Sequence, residues 1–256
     1  MRLLFIRHGD PDYEHDTLTE KGHREAALLA ERAGALELGD CYVSPLGRAQ
    51  ATAAYSMKKL GRTAKTLGWL QEFPAKVDLN RLPQFLRAYP NAKIKDGKYV
   101  PHVVWDIVPS YWAEYSDCMD PVRWRECDIC RNTDTVEVYD YVTGEFDRIL
   151  AEHSYIRDGR CYRVEKESKE TLTFFCHFCI TCVFLSHLWN VSPFLLWHSL
   201  ALAPTSVTEV VTEERQQGIA CFRGLKLGDV SHLVLGGEPV STAARFCEAF
   251  SDKDRH

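Results

Sequence analysis

The residues of this chain that are able to do chemistry sit at the ends of apolar runs. Residues 3–12, LLFIRHGDPD, carry four apolar side chains straight into Arg7, His8 and Gly9. Arg48 follows SPLG, Glu72 follows GWLQ, and His177 follows the apolar run TLTFFC. A buried strand that ends in an imidazole is a rigid mount for a reactive ring. A guanidinium at a helix start adds a fixed positive charge to unpaired backbone N–H groups, a favourable anion site. The pattern points to an anion brought to His8.

The elements that must position these groups alternate. Leu3–Ile6 reads as a buried strand, and a loop with Pro and Asp turn signals follows it. Thr19 is the expected N-cap of a helix in which Ala26, Leu29, Ala30 and Ala33 recur at helical spacing, with Gly34 as its stop. CYVS is a second strand, after which Ser44 caps a helix with Pro45 in its first turn. AKTLGWLQEF predicts a third strand leading to Glu72, TLTFFC a later one, and SVTEVVT with IACFRGLKL a hairpin. This is an α/β signature: a three-layer sandwich with a mostly parallel mixed sheet between helices. Ligands in such sheets gather at the carboxyl ends of strands, so four separate segments converge on one pocket.

Regularity weakens from residue 73 to about 160, a stretch with six prolines and the aromatic run WDIVPSYWAEY. It reads as an insertion, within a single domain spanning 1–256, that covers the carboxyl end of the sheet. Its later part, TVEVYDYVTGEFDRILAEH, suits an amphipathic helix through Val138, Val142, Phe146, Ile149 and Leu150, despite Gly144. Trp105, Tyr111, Trp112 and Tyr115 either wall the pocket and select the substrate, or anchor the insertion to the core.

In order, RHG after an N-terminal strand, LTEKG, SPLGRAQATA, LQE and a strand-ending histidine resemble the histidine phosphatase superfamily. That superfamily includes cofactor-dependent phosphoglycerate mutases and their phosphatase relatives. The resemblance implies that His8 is a nucleophile that becomes phosphohistidine and that Arg7, Arg48 and His177 bind the phosphoryl oxygens. It implies Glu72 as the proton donor, and His177 as part of the catalytic set. These roles agree with physical chemistry. Guanidinium groups keep an imidazole neutral, and the same cations offset the phosphoryl charge without a metal or other cofactor. The expected substrate is a small phosphate monoester. A mutase-type phosphotransferase and a non-catalytic phospholigand-binding module are the alternatives. RHGDPDYEHD lacks the Asn- and Trp-containing segment of the mutases, which favours hydrolysis, and CHFC places Phe178 where relatives often have Gly-Gly.

Composition narrows the remaining classes. A net charge of −5 with no basic run gives no pull toward nucleic acid. Leu3–Ile6 is too short for a signal peptide, and ten cysteines without an export signal point to a reducing cytoplasm and free thiols. Residues 171–208 contain no Asp, Glu, Lys or Arg, yet His177, His187 and NVSP make a strand and core helices the better reading than a membrane span. CDIC and CITC have zinc-ligand spacing, but small buried thiols in apolar segments are the simpler reading, and no metal is expected. The oligomeric state is not legible in the sequence.

Overall fold

The computed structural model describes residues 1–243, 245 and 249–251. In chain order its main elements are β1 (Arg2–Arg7), α1 (Glu20–Glu31), β2 (Asp40–Val43), α2 (Gly47–Leu60) and β3 (Lys65–Thr66). There follow α3 (Thr135–Glu152), β4 (Tyr155–Asp158), β5 (Cys161–Val164), β6 (Thr171–Cys176) and α4 (Phe178–Trp189). The hairpin strands β7 (Val207–Gln216) and β8 (Ile219–Asp229) come last, before a short helix, α5 (Ser231–Gly236). One mixed sheet of eight strands has the order β4-β5-β8-β7-β1-β6-β2-β3. Pairing is parallel from β1 through β6 and β2 to β3, and antiparallel from β1 outward to β4. Helices flank this sheet, as the α/β reading expects.

The apolar runs explain the middle of the sheet. Leu3, Leu4, Phe5 and Ile6 are all buried because β1 is central and covered on both faces. Leu4 and Ile6 pack with Leu29, Ala49, Ala53 and Met57 of α1 and α2. On the other face Phe5, Phe174 and Tyr42 stack across three neighbouring strands, at 5.5 and 5.2 Å between ring centroids.

Several local expectations shift. Thr19 does cap α1, accepting from Gly22 N, but the helix ends at Glu31, and Gly34 lies inside a separate turn, Ala33–Leu36. Ser44 does not cap α2; Leu46 holds the N-cap position without a side-chain bond, and the helix starts at Gly47. The third strand shrinks to Lys65–Thr66, both exposed at the sheet edge, and a 3-10 turn at Gly68–Leu70 follows. An edge pair with no buried face has little to extend it. Glu72 is therefore presented by a loop. The hairpin strands run longer than their apolar cores, and a turn with Gly218 at φ 79° joins them.

The chain divides into two compact units: Met1–Glu72, Leu150–Thr181 and Ala201–His256 form the first, Phe73–Ile149 and Cys182–Leu200 the second. The first holds the sheet. In the second, Tyr139, Val142, Phe146 and Ile149 of α3 are buried, and Gly144 lies on the exposed face where a missing side chain leaves no void. Phe146 stacks on Phe184 at 4.6 Å, and Trp124 meets Tyr139 edge-on. Among the described residues no helix is long and apolar enough to cross a membrane.

Candidate active site

Register brings the two histidines together. Arg7 of β1 pairs with Cys176 of β6, so the next residues, His8 and His177, leave adjacent parallel strands side by side. His8 N donates to Cys176 O at 3.0 Å, and the two imidazole centroids lie 5.1 Å apart. His8 Nδ1 is 2.7 Å from Gly9 O. A carbonyl only accepts, so Nδ1 carries the proton and Nε2 keeps its lone pair. Burial first, then Arg7 and Arg48, hold the His8 pKa well below 6.5 against the opposing pull of the Gly9 carbonyl. His8 is thus a neutral ring with an unprotonated Nε2 at neutral pH.

Each arginine is held by a different device. Arg7 is 3% exposed, and its Nη1 donates to Leu202 O at 2.5 Å and Ala243 O at 3.0 Å. Arg48 Nη1 lies 2.5 Å from Asp16 Oδ1, while Asp16 Oδ2 accepts from Gly47 N at 2.7 Å. Asp16 reaches that position with φ 48°, in the left-handed region. A Cβ on Gly47 would fall 2.1 Å from Asp16 O, so only glycine lets the loop come this close. The Nε groups of both arginines are buried and have no hydrogen-bond partner.

His177 is fully buried, and burial, His8, Arg48 and Arg7, in that order, push its pKa well below 6.5. Its Nε2 lies 2.7 Å from Ser44 Oγ, whereas its Nδ1 is buried without a partner. Glu72 Oε1 accepts from Ile180 N at 3.0 Å in the first turn of α4, and its charge favours the cationic form of Arg7. The structure therefore gathers Arg7, His8, Arg48, Glu72 and His177 within the first unit.

The four aromatics lie in the second unit. Tyr111 and Tyr115 stack at 4.4 Å and line a cavity of about 240 Å³ with Cys118, Cys127 and Arg131. Trp112 instead sets its ring against His198, at 5.8 Å. The Nε1 groups of Trp105 and Trp112 are buried without a partner. No disulfide joins any of the nine described cysteines. Among the described residues no group of three or more His, Cys, Asp or Glu side chains is arranged to hold a metal ion.

Several supporting residues escape a reading of the sequence. Thr52 accepts from Gly9 N at 2.9 Å and donates to Arg48 O at 2.8 Å, tying the loop after β1 to α2. Glu25, fully buried, accepts from Asp10 N at 2.8 Å, and burial raises its pKa to about 7. Its signal in the sequence is a lone carboxylate on the apolar face of α1, beside Ala26 and Leu29. Asp16 and Ser44 gave no such sign.

By fold this is an α/β protein, with two imidazoles and two guanidinium groups brought near one another where β1 and β6 end. Residues 3–90 match the model of the histidine phosphatase superfamily (branch 1), the family that the order of motifs resembles. No curated protein matches the sequence significantly. Among solved structures, a mutant phosphoserine phosphatase from Entamoeba histolytica in complex with phosphoserine is 15% identical, with a TM-score of 0.56; the alignment covers 91% of this chain and 98% of that one. A mycobacterial glucosyl-3-phosphoglycerate phosphatase in complex with VO3 is 16% identical, with a TM-score of 0.54 and coverage of 88% and 97%. At such identities the likeness is one of fold.

Proposed function

We propose that this protein is a phosphatase that hydrolyses a small phosphate monoester through a phosphohistidine at His8. The observation that carries this reading is a set of three buried nitrogens without hydrogen-bond partners: the guanidinium donors Arg7 Nε and Arg48 Nε, and the ring nitrogen His177 Nδ1. Buried donors left unmatched are costly, and they belong to the side chains grouped electrostatically around His8. A phosphoryl group brings oxygens that accept from both guanidinium donors, and from His177 Nδ1 when that nitrogen carries the ring proton. The similar folds named phosphoserine phosphatase and glucosyl-3-phosphoglycerate phosphatase support a small monoester as substrate.

In this reading the Nε2 lone pair of His8 attacks phosphorus, and the bond from phosphorus to the ester oxygen breaks. The departing oxygen takes a proton from Glu72, and Arg7 and Arg48 offset the charge on the transferring group. Water then attacks the phosphohistidine. Glu72 takes its proton, the P–N bond breaks with its electron pair returning to Nε2, and inorganic phosphate leaves. Trapping labelled phosphate on the protein during turnover tests the mechanism. The label and hydrolysis should both vanish in His8→Ala while the melting temperature holds. Hydrolysis retained by that variant, or label on another residue, overturns the reading.

A further inference from the structure

Ser44 makes a hydrogen bond whose direction fixes the chemistry of His177. Val43 of β2 pairs with Phe175 of β6, and Ser44 N donates to Phe175 O at 2.9 Å, which sets the fully buried serine beside His177. A hydroxyl has one proton and two lone pairs. One lone pair of Ser44 Oγ already receives Leu46 N–H, at 3.2 Å. Its other partner among the described residues is His177 Nε2, at 2.7 Å, so the hydroxyl proton has one acceptor to go to. With Nε2 accepting, the neutral ring must carry its proton on Nδ1. The opposite tautomer would turn a bare Nδ1 lone pair toward an anion.

We propose that Ser44 is a positioning residue that locks His177 in its Nδ1–H tautomer and so aims a neutral N–H donor at the phosphoryl group. The tautomer stands independently of any activity; its role toward a phosphoryl oxygen rests on the function proposed above. In that arrangement His177 binds as a dipole, leaving the positive charge of the pocket to the two arginines.

The test joins long-range ¹H–¹⁵N correlation spectra of the imidazoles to kinetics, for the wild type, Ser44→Ala and Ser44→Thr, with His177→Gln to assign the signals. The wild-type His177 should show a protonated Nδ1 and an unprotonated Nε2. Ser44→Ala should lose that preference, and Ser44→Thr, which keeps the hydroxyl, should restore it. Ser44→Ala should lower kcat/KM for p-nitrophenyl phosphate by about 10- to 100-fold, mainly through KM, the range expected when a hydrogen bond to a charged group is lost. Inorganic phosphate, as an inhibitor or a directly titrated ligand, should weaken in parallel. An Nε2–H tautomer in the wild type overturns the proposal even if Ser44→Ala fails to fold. So does a folded Ser44→Ala with unchanged spectra and unchanged phosphate affinity. A wild type that hydrolyses no phosphate ester while showing the Nδ1–H form overturns the phosphatase reading and leaves the tautomer assignment standing.

Discussion

Asp16 grips Arg48 from one side while Gly47 N–H grips Asp16 from the other, so one carboxylate ties the loop after β1 to the start of α2. The guanidinium keeps only 11% of its side-chain surface exposed, so its aim depends on this partner more than on solvent. Asp16→Ala should lower kcat/KM by about 10- to 100-fold, because small misplacements of a charge-stabilising group are expensive. Asp16→Asn should lose less, since asparagine tolerates the left-handed backbone and still accepts from Gly47 N. Steady-state kinetics on one substrate check both. Wild-type kinetics in Asp16→Ala would show that other contacts hold Arg48.

Glu72 has two candidate tasks, proton donor to the leaving oxygen and acceptor for Ile180 N–H at the start of α4. Glu72→Gln separates them, because the amide oxygen still accepts from Ile180 while the acid is gone. The variant should keep its melting temperature. It should lose about 10²–10⁴-fold in kcat on an alkyl phosphate, and much less on p-nitrophenyl phosphate, whose leaving group needs little protonation. Equal losses on the two esters would assign Glu72 a role other than general acid.

Burial and the two arginines keep His8 neutral far below pH 6.5. Protonation of His8 should therefore add no acid limb to the logarithm of kcat/KM above pH 6.5. Arg48→Ala removes one repulsive charge, so its acid limb should move to higher pH. The same shifts bear on stability. His8 and His177 have folded-state pKa values below their unfolded ones, so the unfolded chain binds protons first as pH falls. Their contribution is complete above pH 6.5 and is lost progressively below it. Melting temperature should fall with acidification, and less steeply in His177→Gln. An acid limb that stays in place in Arg48→Ala would argue that the guanidinium does not act on His8.

The contributing segments were legible in the sequence because apolar strands announce themselves. LLFI and TLTFF are continuous runs of the kind that only a doubly covered strand requires, so the polar residues after them fall at its carboxyl end. Register leaves no such mark. That Val43 sits opposite Phe175, which puts Ser44 on His177, follows from how the strands slide against each other, and a capping role for Ser44 was the natural local reading. The Asp16 contact needs a left-handed backbone that aspartate adopts in many unrelated turns. Arg7 ends on two backbone carbonyls from distant segments, and a carbonyl has no residue type to recognise. The expected third strand failed for a simpler reason: Lys65 and Thr66 lie at an edge, where tertiary pairing alone sets the length.

The place of β1 in the sheet has a consequence for biosynthesis. It leaves the ribosome well before its ladder partners, β6 and β7, which begin at Thr171 and Val207. At ordinary translation rates of about 5–20 residues per second, roughly 10–40 seconds separate the emergence of the first strand from that of its last partner. During that interval LLFI is an unpaired apolar edge in a nascent chain, open to chaperones and to neighbouring chains alike. Ribosome-bound chains stalled before Val207 should bind a chaperone that recognises apolar segments through Leu3–Ile6, and release it once the hairpin is out.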